Sequence, residues 1–220
     1  RVCLMPKQSG LVGRLLAAFS RKEASGTQSP AKWLVDWFRG SETAAGVSVS
    51  VDSAMRTAAV WACVRIRSED LAKLPLHLFE RRLDGGKERA ERHPLYRLVR
   101  TQPNPRMTAF EWRQMMQAQL DLRGNAYALK ELAGDGTVLA LWPIPSDRVE
   151  VLASADQREL FYRITPARGE QVTVPGEYMV HLRGLSLDGI VGLSPIAYHR
   201  ETIGLGIAAG RYGAAFFGNN

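Results

Sequence analysis

At Gly124 the apolar residues of this chain stop recurring every three or four positions and begin to alternate, and the alternation lasts for about sixty residues. Upstream, Met55, Ala58, Ala59, Ala62, Cys63 and Ile66 have helical spacing after Ser50-Val51-Asp52-Ser53, with Asp52 or Ser53 as the expected N-cap and Cys63 facing a core. Lys73-Leu74-Pro75 ends that helix, because proline excludes helical geometry from the residue before it. Thr108-Ala109-Phe110-Glu111 is a capping box that opens a second helix running to Arg123, closed by Gly124 as a left-handed cap.

Between these helices, Leu76 to Glu80 is predicted as a strand, Asp84-Gly85-Gly86 as a hairpin turn and Leu95 to Arg100 as a short helix. After Gly124 the pattern predicts strands around Tyr127 to Glu131, Val138 to Trp142, Arg148 to Leu152, Leu160 to Thr165, Glu170 to Val174 and Tyr178 to Arg183. Pro143, Pro145, Pro166 and Pro175-Gly176 mark their breaks. Helices followed by short antiparallel strands and a final helix describe an α+β fold, not alternating βαβ units.

The final helix starts at Ser194 as N-cap with Pro195 in its first position, and the pattern carries it to Phe217. Arg200 and Arg211 fall ~20° apart around its axis and ~16 Å apart along it, forming one basic stripe. Gly206, Gly210 and Gly213 share another face within ~60°, at a helical cost of about 1 kcal/mol each relative to alanine. A close-packed neighbouring backbone would offset that cost.

Chemistry-bearing motifs are sparse. Gly192-Leu193-Ser194-Pro195-Ile196 begins like a nucleophile elbow, but Ile196 stands where the second glycine belongs and Pro195 removes an oxyanion-hole amide. His77, His93, His181 and His199 lack metal-ligand spacing, and Cys3 and Cys63 cannot frame a disulfide scaffold. No phosphate loop is present, so neither cofactor nor catalytic residues are expected. No run reaches the ~18 apolar residues of a membrane span, and the short apolar stretch after Lys7 lacks a clean cleavage site. Met5 is a candidate start residue. The net charge of +7 is concentrated upstream: residues 56 to 123 carry 14 basic against 8 acidic residues, while residues 124 to 220 carry 8 against 10. That balance permits nucleic-acid contact.

Several phrases together carry a resemblance: Ala58-Ala59-Val60-Trp61-Ala62-Cys63-Val64, Leu71-Ala72-Lys73-Leu74-Pro75-Leu76, His93-Pro94-Leu95 and Gln102-Pro103-Asn104-Pro105. Arg123-Gly124-Asn125-Ala126-Tyr127, Leu141-Trp142-Pro143-Ile144 and Asp188-Gly189-Ile190-Val191-Gly192-Leu193-Ser194-Pro195-Ile196 continue it in order. The chain resembles the portal proteins of tailed bacteriophages of the Hong Kong 97 type, over about residues 48 to 217.

The resemblance implies a ring, usually of twelve subunits, at one capsid vertex, through which double-stranded DNA is packaged and ejected. It implies terminase, major capsid protein and head-tail adaptors as partners, no membrane, and location in the virion with assembly in the bacterial host cytoplasm. It divides the chain into a flexible arm (1–49), an α+β wing-like domain (50–187) and the start of a stem-like helix (188–220). Arg200 and Arg211 would face the DNA channel or pair with a neighbouring subunit, Gly206, Gly210 and Gly213 would pack subunits, and Asp188, Gly189, Gly192, Ser194 and Pro195 form the family phrase and helix cap. Members continue well beyond Phe216-Phe217-Gly218-Asn219, so the expectation is a truncated chain. Two other readings are a serine hydrolase using Ser194 and a monomeric DNA-binding module.

Overall fold

The structure, a computed structural model, describes residues 43–154 and 158–219. Of the expected arm, residues 1–42 lie outside the described residues, whereas Thr43, Val47 and Val49 are buried, so packed structure begins ahead of residue 50.

Ser50, and neither Asp52 nor Ser53, caps the first helix, α1 (Val51–Met55): its Oγ accepts from the Ser53 amide and its own amide donates to Ser53 Oγ. The next helix, α2 (Ala58–Lys73), starts after a break at Arg56-Thr57. It buries Val64, Ser68 and Ala72, an i, i+4 face lined by small side chains. Cys63 and Ile66, expected in a core, are exposed on the far side of the helix. The helix lies where its spacing predicts but buries a different face, because Ser68 and Ala72 let α2 approach its neighbour closely whereas a broad apolar stripe would not.

A ribbon of β1 (Phe79–Arg81) and β2 (Lys87–Arg89) follows, then α3 (Pro94–Arg100) and α4 (Ala109–Arg123). His77 precedes the ribbon and is half-buried. The Thr108 capping box is present in full, and Gly124 ends α4 at φ +74°. Arg113 is buried on α4, where its guanidinium donates to the carbonyls of Ala72 at 2.8 Å and Val99 at 3.1 Å. Its charge thereby meets the negative ends of α2 and α3.

The remaining strands are β3 (Asn125–Leu132), β4 (Val138–Ile144), β5 (Val149–Ala153), β6 (Leu160–Ile164), β7 (Val172–Pro175) and β8 (Met179–Arg183). They form two antiparallel three-stranded sheets, ordered β4-β3-β8 and β5-β6-β7. Alternation along β3 decides the layering: Tyr127 and Leu129 join Ile144, Tyr162, Ile164, Val174 and Met179 between the sheets. Ala126 and Ala128 face Trp112 and Met116 of α4 on the other side. The observed class is therefore the α+β fold that the pattern predicts, with β3 buried on both faces. Asn104 ties the Pro103-Asn104-Pro105 loop to this sheet by donating to the Leu141 carbonyl.

The final helix is not continuous. A short α5 (Pro195–Tyr198) meets α6 (Arg200–Gly218) at His199, whose φ −98° and ψ 14° leave helical geometry. The kink lies between two anchors, Ser194 bonded to Leu122 and Gly204 packed on Thr43.

Candidate functional site

The region that launches α6 is built on three glycines whose backbones cross. A Cβ added to Gly192 would collide with the Gly124 carbonyl oxygen, and one added to Gly124 would collide with the Leu193 carbonyl. A Cβ on Gly184 would lie 3.2 Å from the same Gly124 oxygen, which accepts the Gly184 amide at 2.8 Å. Only glycine allows this approach.

Asn125 locks the crossing. Its Nδ2 donates to the Gly192 carbonyl at 2.8 Å, and its Oδ1 accepts the Gly192 amide at 2.7 Å. The same Oδ1 lies 3.0 Å from His181 Nε2, and His181 Nδ1 lies 3.2 Å from the Tyr162 hydroxyl. A neutral ring protonated on Nε2 satisfies both contacts, donating to Asn125 and accepting from Tyr162. Burial first, then Arg183, pulls His181 down to a pKa of about 4. Burial raises the neighbouring Tyr127 hydroxyl above its ordinary value. One chain of contacts thus links the inter-sheet core to the residues that lead into α5.

Between Gly184 and Leu193 the chain folds on Asp188, whose carboxylate accepts from the amides of Ile190 at 2.7 Å and Val191 at 2.9 Å and from Ser186 Oγ. Those bonds hold its pKa at about 2. Gly189 turns the loop at φ +74°. Ser194 then donates from Oγ to the Leu122 carbonyl at 3.0 Å and accepts the Ala197 amide at 3.3 Å, so its hydroxyl serves as a cap and a tie. No histidine is hydrogen-bonded to it among the described residues.

A cleft of ≈ 730 Å³ opens beside this junction, with Val49, Asp52, Tyr127, Val151, Ser194 and Arg200 among its walls. Arg200 therefore looks toward the body of the domain, and Arg211 lies exposed further along the same stripe. Beyond the backbone of α6 itself, a Cβ added at Gly206, Gly210 or Gly213 would meet open space. Leu205, Tyr212, Phe216 and Phe217 are also exposed, which leaves a charge-free face on α6. No cluster of metal-ligating side chains occurs among the described residues, and no helix there is long and apolar enough to cross a membrane.

Residues 58–220 match the family described as Phage portal protein. The chain belongs to that family. It is 34% identical over 173 residues to the portal protein of Enterobacteria phage HK97, covering 78% of this chain and 40% of that protein. It is 31% identical over 190 residues to the probable portal protein of Streptomyces phage phiC31, covering 82% and 40%. The chain thus spans 40% of the length of these two portal relatives. In fold, it resembles a chain in the neck of a native gene transfer agent particle computed with C12 symmetry, at TM-score 0.63 and 18% identity over 95% of this chain and 51% of that one. A Hong Kong 97 family portal from Corynebacterium diphtheriae matches at TM-score 0.53 and 17% identity, over 76% and 49%. In this portal-family chain the Asp188 to Ile196 phrase has a physical account: turn, backbone crossing and helix cap in nine residues.

Sequence reasoning missed Asn125 and Gly184, and it found only the capping half of Gly124. The Gly124-Asn125 pair is the signal that could have exposed them, since a cap glycine followed at once by a buried amide leaves a side chain in need of a backbone partner.

Proposed function

We propose that the chain is the wing and stem-start portion of a portal subunit, built into a ring at a capsid vertex through which double-stranded DNA is packaged and ejected. Family membership across residues 58–220 carries the reading. The charge-free, glycine-lined face of α6 supports it, because a ring needs unpartnered surface on every subunit. On this reading 50–187 is the wing and 188–220 begins the stem. Twelve copies, the terminase, the major capsid protein and head-tail adaptors are the proposed partners, with the virion vertex as destination and the host cytoplasm as the site of assembly. The subunit acts by shape and charge and not by bond chemistry.

The test is mass by light scattering of the chain and of its Gly206→Leu, Gly210→Leu, Gly213→Leu variant. A ring weakened in the variant supports packing through α6, and an identical ring rejects it. In a complete portal carrying this segment, Arg200→Glu with Arg211→Glu should reduce packaging if these cations act on DNA. Unchanged packaging at low salt, where screening is least, favours pairing between subunits instead.

A further inference from the structure

Three of the fourteen basic residues between positions 56 and 123 stand on one side of the β1–β2 ribbon. Register places Arg81 opposite Lys87 and Phe79 opposite Arg89, while Glu80 stands opposite Glu88. Side chains alternate across a ribbon, so Phe79, Arg81, Lys87 and Arg89 share one face and Glu80 and Glu88 share the other. Both like-charge pairs oppose the pairing that holds the ribbon together. On the acidic face the conflict is relieved, because Arg82 bridges Glu88 at 3.4 Å and Asp84 at 3.3 Å. On the basic face it is not: Arg81, Lys87 and Arg89 are exposed and have no anionic partner among the described residues.

The basic surface continues past the ribbon. His77 contacts Tyr96 of α3 at 3.2 Å and lies edge-on to Phe79, so ribbon and α3 form one surface. Arg100 follows Tyr96 by one helical turn on α3 and so shares the side of that helix that meets His77, and burial first, then Arg89 and Arg100, lower the pKa of His77. Arg100 also bears on Arg113, whose own bonds go to backbone carbonyls and not to a carboxylate.

We propose that the Phe79-Arg81-Lys87-Arg89 face of the ribbon, extended by Arg100, is a surface for the phosphate backbone of double-stranded DNA, separate from the channel. Charge complementarity selects a polyanion. Lys87 and Arg89 are ~7 Å apart along β2, twice the ~3.4 Å axial spacing of phosphates on one strand. Phe79, 53% exposed among the cations, offers an apolar surface to sugar or base edge. Arg81, Lys87 and Arg89 are exposed, and no side-chain hydrogen bond among the described residues orients them toward a base edge, so contact is to phosphate and is not base-specific.

The experiment measures fluorescence anisotropy of a labelled duplex of about 25 base pairs across ~50 to 200 mM salt. It compares the parent chain, Arg81→Gln/Lys87→Gln/Arg89→Gln, Glu80→Gln/Glu88→Gln and Arg200→Gln/Arg211→Gln. Three lost phosphate contacts should reduce the slope of log affinity against log salt by about 2.7. The acidic-face variant should bind as well as the parent or better. The basic-face substitutions remove a like-charge pair and should not lower the melting temperature, which separates lost binding from lost fold. An unchanged slope in the basic-face variant overturns the proposal. So does loss confined to the Arg200/Arg211 variant, which would leave the channel reading standing alone. Polyglutamate that displaces the duplex at equal charge concentration also overturns it, in favour of an acidic protein surface.

Discussion

Asn125 holds Gly192 by both of its backbone polar groups, donating to its carbonyl and accepting its amide within 2.8 Å. Gly192 is buried, and the Gly124 carbonyl lies against its α-carbon where a side chain would be. The amide clamp and the glycine crossing are therefore one device, and it joins the end of α4 to the residues that start α5.

Asn125→Ala should cost about 3 kcal/mol, because it leaves a buried amide and a buried carbonyl unpaired at once. Asn125→Asp should not rescue it, since a carboxylate keeps the acceptor but faces the Gly192 carbonyl with no proton to donate. Urea denaturation midpoints of the three proteins check both statements. An alanine variant within about 0.5 kcal/mol of the parent would show the clamp to be dispensable.

Ser194→Ala should lower stability by about 1 kcal/mol through the lost cap. From sequence, Ser194→Asp is expected to preserve the cap. The observed Oγ donation to the Leu122 carbonyl changes that expectation, because aspartate cannot donate and sets a negative charge against a carbonyl oxygen. Thermal melts should therefore rank the parent above both variants, with Ser194→Thr nearest to it.

Stability should fall in two separate windows as pH drops. His181 is neutral in the fold with a pKa of about 4 against an ordinary 6.5, so the unfolded chain takes up more protons between those values. Its contribution is complete above pH 6.5 and is lost progressively toward pH 4. Asp188, at about 2 against 3.8, contributes above pH 3.8 and loses its contribution from there down to pH 2. Denaturation midpoints of His181→Gln should flatten the upper window and leave the lower one, whereas Asp188→Asn should do the reverse. A His181→Gln profile that still falls as steeply between pH 6.5 and 4 would assign that window to other groups.

What could be read in advance followed from how local each signal is. The Thr108 capping box, the Gly124 cap and the turn at Gly85 involve residues within a few positions of one another, and each appears as expected. The facing of α2 was not legible, because which of two apolar sides is buried depends on how closely α4 approaches. Likewise, Gly184, Gly192 and Asn125 derive their meaning from partners more than 50 residues away in sequence, 67 for the Asn125 to Gly192 bond. The kink at His199 has the same origin, since it lies between anchors on Leu122 and Thr43 that no window around it contains.

The glycines themselves supply the last prediction, because they fall into two physically opposite sets. Gly124 and Gly192 sit where a Cβ would meet backbone, and Gly124 also needs a positive φ. Gly124→Ala and Gly192→Ala should therefore each destabilise the fold by several kcal/mol, roughly as overpacking and left-handed strain together allow. Gly206, Gly210 and Gly213 have open space around them, and alanine there should raise the stability of the isolated chain by up to about 1 kcal/mol per site. If α6 packs backbone to backbone in a ring, the same three alanines should weaken assembly while strengthening the subunit. Melting temperature and light-scattering mass measured on one preparation should then move in opposite directions. Should both rise together, the glycines serve some purpose other than close approach between subunits.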